Sequence, residues 1–525
     1  MFPEIWHRRL FLFGLIGMAT GLLFGSIFIS IPQMILGANW FLEKNYKSKI
    51  ISLYKNKFFW ILCSLFFLHL IGLLYTDDLQ AGIADIKIKV PLLILAILFL
   101  STKSLNQKEI KLLFKIFFLG VIISTIFCYL AFLGFTKKNI IDVRSASIFI
   151  SHIRFSLIIT FGIFSILYFI KSKKDIILGV FIILWLLFFM YQFQMATGFF
   201  LIIMIGFIYL FYYMFKKINL YINMLICIIL SFFSFKMYQS IRADLLMYYT
   251  NPNSVNNVLL KQTVNKNHYS QDTLFDLAEN GNLITINFCD VELEKEWHKK
   301  SKLPYDGLDK NGNNLRFTIL RYMASKGLKK DSMGISVLNR QDIINIENGV
   351  SNYLYPFNSG LIHKWRELVL EYTKYKRGED PSGQTLTMRV EFWKASVFAI
   401  QQNILFGVGT GDIQQALNKA YDETNSKLTK RWRLRCHNQY LAITLAFGVV
   451  GLFLFLYYFL YPLIVLREKF HVLFWPFIAI ILMSFFTEDT LESQAGLNFF
   501  ACFYTLFIWL ASSKEKSKEN LNEIN

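Results

Sequence analysis

The feature that most constrains this chain is a series of apolar runs, each roughly 15 to 25 residues long, separated by short polar segments. A helix of about 20 residues crosses the hydrocarbon core of a bilayer, and lipid forces backbone N–H and C=O groups to bond within their own segment. The runs therefore predict an all-α polytopic membrane protein with about twelve transmembrane helices. The predicted spans are residues 10–24, 26–42, 58–75, 85–101, 109–134, 148–170, 175–192, 194–215, 219–236, 438–464, 470–487 and 495–511.

The composition supports a lipid environment. Of 525 residues, 54% are hydrophobic and 54 are phenylalanine, and a soluble chain this apolar would expose large patches to water. The formal charge of +19 comes largely from short Lys and Arg clusters between apolar runs, a pattern that reports membrane topology. We therefore expect the lipid bilayer as a partner and no nucleic acid. The six cysteines include no C-x-x-C pair, so neither a zinc site nor a disulfide framework is expected.

The basic clusters also predict which side of the membrane each loop faces. Cytoplasmic loops tend to be rich in Lys and Arg, and both Trp6–Arg9 and Lys44–Lys57 are basic. Both segments lie in the cytoplasm only if residues 10–42 form two short spans rather than one long tilted helix. The alternation that follows places both termini in the cytoplasm and the long polar segment before the last three spans on the outer side.

Four regions follow from this topology. They are an N-terminal membrane region of about nine spans, an outer and mainly helical domain carrying part of the active site, a C-terminal membrane region of three spans, and a cytoplasmic tail. Their bounds are 1–236, 237–436, 437–512 and 513–525. Apolar residues recur at helical spacing in Ile362–Leu370, which predicts a helix within the outer domain.

The residues that indicate chemistry are concentrated just before and within the tenth predicted span. They form four blocks: Met388–Trp393, Asn403–Asp412, Arg433–Tyr440 and Gly448–Gly451. These blocks supply an Arg at a helix start, a glycine-rich turn that allows close backbone approach, and a His flanked by Arg at a membrane boundary. Guanidinium groups bind phosphate oxygens in a bidentate manner, and imidazole can accept a proton from a sugar hydroxyl near neutral pH.

The order of these blocks resembles the O-antigen ligase and polymerase superfamily. Its motif is His followed by Asn, Ser or Gln, then nine residues, Gly, two residues and a small residue. Here His437-Asn438 is followed by nine residues, then Gly448, two residues and Gly451. The upstream Arg-x-x-x-Trp block and the glycine-rich turn Leu405–Asp412 are similar to that superfamily as well. The specific motifs cover the chain only from about residue 389 to residue 451.

The resemblance implies a metal-independent and cofactor-independent glycosyl transfer at the periplasmic face of a bacterial inner membrane. A glycan on undecaprenyl pyrophosphate passes to a glycolipid or glycan acceptor, which is lipid A–core for a ligase and another repeat unit for a polymerase. By this resemblance His437 is the candidate catalytic base that deprotonates the acceptor hydroxyl, or at least orients it, and Arg389 is the candidate group that binds the pyrophosphate. The further substrate-binding candidates are Arg435, Arg433, Asn438, Trp393, Gly409 and Gly411.

One position departs from the family pattern. Many members place an Arg in a Ser-Arg-x-Gly element at the start of a mid-chain span, whereas Met195-Ala196-Thr197-Gly198 has none. Arg154 follows His152 on the same predicted outer side and is the candidate replacement. The alternative is that Arg154 only extends its charged end to the membrane interface.

Other charged groups allow two interpretations each. Glu488, Asp489 and Glu492 either orient the imidazole or bind acceptor hydroxyls, or they form a solvated acidic loop. Asp85, Lys87 and Lys89 either take part in function or pair with one another. The outer loop containing Lys137, Lys138 and Arg144 is basic on the side where the topology rule expects few basic residues. It is either a tolerated exception to that rule or attracts an anionic substrate.

Two other classes of function compete with glycosyl transfer: a transporter of the same lipid-linked glycan and a passive assembly scaffold. Transport is disfavoured because the distinctive residues lie at one membrane face and no repeated half with broken helices is visible.

Overall fold

The computed structural model describes residues 3–135, 147–217, 220–246, 257–273, 277–354 and 360–522. The outer loop with Lys137, Lys138 and Arg144 lies outside the described residues. The first ten helices are α1 Glu4–Gly21, α2 Ser26–Leu42, α3 Tyr46–Tyr54, α4 Lys57–Gly72, α5 Leu79–Leu100, α6 Gln107–Leu130, α7 His152–Phe169, α8 Lys173–Gln192, α9 Ala196–Lys217 and α10 Leu220–Leu246. The others are α11 Asp290–Lys300, α12 Leu315–Ser325, α13 Ser332–Ser336, α14 Arg340–Glu347, α15 Gly360–Lys376, α16 Thr385–Gln402, α17 Ile413–Glu423, α18 Gln439–Val465, α19 Phe474–Thr487 and α20 Gln494–Asn522.

The mainly helical fold class predicted from the sequence is confirmed, and each predicted span overlaps one helix. Within the described residues, seven helices are long and apolar enough to cross a membrane: α4, α6, α7, α8, α9, α18 and α20. Two further apolar helices, α2 and α19, are shorter. The remaining predicted spans coincide with α1, α5 and α10, which contain charged residues. The chain is therefore a multi-pass membrane protein, and the number of about twelve spans stays a prediction.

The first predicted pair of spans forms a hairpin of two helices. A Cβ added at Gly14 would meet Leu36, and one added at Gly21 would meet the carbonyl oxygen of Phe28, so α1 and α2 run antiparallel at close range. At the open end of the hairpin, His7 Nδ1 lies 2.8 Å from Asn39 Oδ1. Helices of this length rise about 27 Å, close to the thickness of a hydrocarbon core, so the pair is consistent with two short spans.

The helix α18 breaks at Gly448, whose φ of 65° and ψ of −167° are not helical. The break releases backbone groups that lipid cannot satisfy, and the preceding turn bonds to them. The N–H groups of Val408 and Gly409 donate to the carbonyls of Leu445 and Ala446, both at 2.9 Å, and the Val449 N–H donates to Ile404 at 2.8 Å. The glycine-rich turn is therefore hydrogen-bonded to the first part of α18.

The chain divides into two compact units. One contains residues 1–217, 389–426 and 430–525, and the other contains 218–388 and 427–429. The final part of the predicted outer domain 237–436, from residue 389 to 426 and from 430 to 436, thus belongs to the first unit, which contains every predicted span except 219–236. The outer location of that domain stays a prediction.

The second unit has its own apolar core, in which Trp297, Ile319 and Met323 are fully buried. Its two short strands, β1 Ala278–Glu279 and β2 Asn282–Leu283, pair through the turn Asn280-Gly281. Both turn residues have positive φ, as a two-residue hairpin requires. The helix predicted at Ile362–Leu370 lies within α15.

Candidate functional site

His437 lies immediately before the first turn of α18, in a left-handed backbone conformation with φ 46°. Asn438 follows in an extended conformation and caps the helix, since its side chain accepts the Leu441 N–H at 3.1 Å. The ring of Phe392 from α16 stacks on the imidazole at 5.3 Å between centroids. The imidazole is held on one face and keeps 28% of its side-chain surface exposed, so it remains accessible to a substrate.

Two carboxylates face this imidazole from the segment after α19. His437 Nδ1 lies 3.4 Å from Glu488 Oε2 and 4.0 Å from Asp489 Oδ1. Both acids are buried, with relative exposures of 1% and 6%. The alternative of a solvated acidic loop is therefore wrong for Glu488 and Asp489, because the fold turns them inward against the His.

Two arginines complete the group. Arg389 on α16 donates from Nη2 to Glu488 Oε1 at 2.8 Å. Arg154 on α7 places Nη2 at 3.8 Å from Glu488 Oε2 and 4.0 Å from Asp489 Oδ1. We call His437, Glu488, Asp489, Arg389 and Arg154 the His437 cluster. Its members come from four separate segments of the chain.

The electrostatics of the His437 cluster keep Glu488 ionised. Burial raises the pKa of its carboxyl, but the hydrogen bond and charge of His437 and the charges of Arg389 and Arg154 outweigh it, so the net pKa lies below its ordinary value. Among the described residues, the buried Nε of Arg389 has no hydrogen-bond partner. One face of this guanidinium is consequently left for a further acceptor, such as a phosphate oxygen.

The arrangement favours one tautomer of the imidazole. An N–H on Nδ1 points to the Glu488 carboxylate, which leaves the lone pair of Nε2 for an incoming proton. A carboxylate behind a His also stabilises the imidazolium that forms when the base takes a proton. The His437 cluster therefore has the geometry of a general base, with two arginines beside it.

Three of its members could also be read as metal ligands, because donor atoms of His437, Glu488 and Asp489 lie within 4.8 Å of one another. A divalent cation there would face Arg389, which already bonds Glu488 at 2.8 Å, and Arg154 at 3.8 Å from the same carboxylate. Like charges repel, so the two guanidinium groups oppose a cation at this donor set.

The glycine-rich turn has a packing role. A Cβ at Gly409 would meet Thr76 Oγ1 at 2.4 Å, and one at Gly411 would meet the carbonyl oxygen of Asp78 at 2.1 Å. The Asp412 carboxylate accepts the N–H groups of Asp77 and Asp78, both at 2.8 Å. Protein backbone therefore fills the space that the sequence-based prediction reserved for a ligand at Gly409 and Gly411.

Four other predicted substrate-binding residues lie around the cluster. Arg433 points to Asp422 at 2.5 Å, and Arg435 lies 3.3 Å from Glu492. Asn438 is occupied as the cap of α18 and also donates to the Phe486 carbonyl at 3.2 Å. Trp393 is partly exposed, and its neighbour Phe392 is the residue that stacks on the His. Phe392 was missed because an aromatic residue in an amphipathic helix gives no distinct signal of its own.

The family comparison agrees with this geometry. The family model described as O-antigen ligase matches residues 194–456, half of the chain. The chain belongs to the O-antigen ligase family. No curated protein matches it in sequence. Membership in this family implies a membrane glycosyltransferase of the O-antigen ligase and polymerase type. The match contains Arg389 and His437, whereas Arg154, Glu488 and Asp489 lie outside it and are added to the site by the fold.

Proposed function

We propose that this O-antigen ligase family member transfers a glycan from undecaprenyl pyrophosphate to an acceptor such as lipid A–core. The transfer takes place without a metal ion at the periplasmic face of the bacterial inner membrane. The observation that carries the proposal is the convergence of Arg389 and Arg154 on the carboxylate that bonds His437. Two arginines and a candidate general base thus contact the carboxylate of one buried Glu: Arg389 at Oε1, and Arg154 and His437 at Oε2.

In the proposed reaction the donor pyrophosphate takes the place of Glu488 on Arg389 and Arg154. His437 Nε2 accepts the proton of the acceptor hydroxyl while the acceptor oxygen forms a bond to the anomeric carbon of the glycan. The bond between that carbon and the pyrophosphate oxygen breaks, and undecaprenyl pyrophosphate leaves with the electron pair. The arginines stabilise the charge that grows on the leaving phosphate.

Glu488 has three partners before the donor binds and one afterwards. Without donor its oxygens face Arg389 at 2.8 Å, His437 at 3.4 Å and Arg154 at 3.8 Å. Once phosphate oxygens occupy the arginines, the carboxylate charge acts mainly on the imidazole. The carboxylate can then stabilise the imidazolium that forms when His437 accepts the proton.

The test is complementation of a gene deletion with wild type, Arg389→Ala, His437→Ala and His437→Asn, with membrane levels checked by blot. Asn tolerates a left-handed backbone better than Ala, so loss of activity in both His437 variants cannot be assigned to backbone strain. Lys419→Ala is the matched control, because Lys419 is an exposed cation that pairs with Glu423 one turn along α17.

Bare lipid A–core with accumulated lipid-linked glycan in the site variants supports the ligase. A ladder collapsed to single repeats indicates a polymerase of the same family. Lipid-linked glycan trapped on the cytoplasmic face would indicate a transporter. An unchanged ladder in the His437 variants would refute the proposal.

A further inference from the structure

A second buried polar group lies next to the His437 cluster and has no part in the reaction just described. Lys89 on α5 and Gln439 on α18 are both fully buried, with relative exposures of 0%. Asp85 lies one turn before Lys89, with its Oδ1 3.5 Å from the ammonium nitrogen. Burying a charged Lys is costly unless it is paired and hydrogen-bonded, so its partners indicate its role.

Those partners belong to the segment that carries Glu488. Lys89 Nζ donates to the Leu491 carbonyl at 2.8 Å and to Glu492 Oε2 at 2.9 Å. Gln439 Nε2 donates to Glu492 Oε1 at 3.0 Å, and Gln439 Oε1 accepts the Leu491 N–H at 2.8 Å. Two side chains thereby hold both backbone groups of Leu491 and both carboxylate oxygens of Glu492.

Residues on both sides of His437 contact this segment. Gln439 follows His437 by two residues, and Arg435 precedes it by two and lies 3.3 Å from Glu492 Oε2. Within the segment, the Glu492 N–H donates to the Asp489 carbonyl at 3.0 Å. Glu488 itself is held by Arg389 and by its N–H, which donates to the Ser484 carbonyl at 2.9 Å, while the contacts of Glu492 and Leu491 hold the other end of the segment.

We propose that Lys89 and Gln439 are positioning residues, which hold Glu492 and Leu491 so that Glu488 and Asp489 face the imidazole. We call these four residues the loop clamp. This inference rests on the proposed function. A buried ion pair is often no more stabilising than apolar packing of the same volume, so stability alone does not account for a Lys at this place. Its geometric contribution is specific, because both hydrogen-bonding groups of Leu491 are engaged.

The experiment measures kcat and KM for purified protein in proteoliposomes. The donor is the lipid-linked glycan extracted from the deletion strain, and the acceptor is lipid A–core from the same strain. Amide hydrogen exchange of the peptide covering residues 486–493 is followed in parallel. The variants are Lys89→Met, Gln439→Met and the double variant Lys89→Met with Glu492→Gln. The control is Lys87→Met, which removes an exposed charge from the same helix.

Lys89→Met is expected to lower kcat by about 10- to 100-fold, the order of loss that a displacement of about 1 Å produces at a reacting centre. The KM for the donor should change little, because Arg389 and Arg154 are intact. Exchange should accelerate at residues 488–492 and stay unchanged in α18 and α20. Gln439→Met should likewise lower kcat, leave KM unchanged and accelerate exchange at residues 488–492, without any change of charge. If Lys89→Met does not accumulate in the membrane, Gln439→Met alone tests the loop clamp.

The double variant separates positioning from charge balance. It removes one positive and one negative charge, so Tm should return toward that of wild type while kcat stays low. Recovery of both Tm and kcat would overturn the loop clamp, as would a wild-type kcat in Gln439→Met. If His437→Asn is active, the proposed function itself fails. If His437→Asn is inactive while the clamp variants are fully active, only the clamp fails.

Discussion

Replacing Glu488 by Gln tests the chemistry of the His437 cluster with almost no change of shape. The amide oxygen can still accept from Arg389, but the amide group facing the imidazole now donates a hydrogen bond. His437 Nδ1 must then accept, which places the proton on Nε2 and removes the lone pair that the proposed base requires. The change also removes the negative charge 3.4 Å from Nδ1.

The size of the effect follows from that distance. A unit charge pair at 3.4 Å interacts by about 5 kcal/mol at an effective dielectric constant of about 20. Because 28% of the His side chain is exposed, we discount this value to about 3–4 kcal/mol. Each 1.4 kcal/mol corresponds to about a tenfold change in rate, so kcat should fall by about 10²- to 10³-fold.

The assay is transfer of extracted lipid-linked glycan in proteoliposomes, with Asp422→Asn as the control. Asp422 also pairs with an arginine, Arg433, but its side chain is 69% exposed. Wild-type turnover is expected for the control. A kcat of Glu488→Gln within about threefold of wild type would refute the role assigned to the carboxylate, because it corresponds to less than about 1 kcal/mol.

Three further predictions follow from particular contacts. Arg154→Ala should raise the KM for the donor about tenfold or more in the proteoliposome assay, because one charge-assisted phosphate contact is lost; an unchanged KM would contradict this. Gly448→Ala should lower Tm sharply or prevent accumulation in the membrane, since its Cβ would meet the Leu405 carbonyl oxygen at 2.1 Å; a wild-type Tm would contradict it. The pKa of Glu488 is lowered in the folded state, so its contribution to stability is complete above its ordinary pKa and is lost as pH falls through the lowered value. The Tm of Glu488→Gln should therefore depend less on pH in that acidic window, and parallel curves for variant and wild type would contradict the assignment.

Much of the fold could be predicted because the signal is local. Each predicted span overlaps a helix, since a long apolar run in lipid has no other way to satisfy its backbone. The break at Gly448 could not be predicted, because its cause is the pairing of Val449 with Ile404, far along the chain. For the same reason Gly409 and Gly411 were predicted as ligand contacts although they pack against backbone.

The candidate site, like the fold, could be predicted from the sequence only in part. The spacing of Arg389, His437 and Gly448 is a property of the sequence, and it was sufficient to predict the family and the chemistry of a base beside an anion clamp. The choice of Arg154 as the replacement cation rested on topology alone, and the fold places it 3.8 Å from Glu488. Its role in binding the donor stays a prediction.

The sequence by itself determined the environment and the order of the helices, because hydrophobicity and charge act on each segment separately. It also supplied His437 and Arg389 as the candidate base and the candidate pyrophosphate-binding residue. Only the tertiary structure decided which charges meet. The sequence left open whether Lys89 pairs with its neighbours on α5 or has a function, and the closest carboxylate to Lys89 is Glu492 at 2.9 Å, with Asp85 at 3.5 Å. Side chains hundreds of residues apart contact one another only once the helices have packed, and no local pattern of residues records that choice.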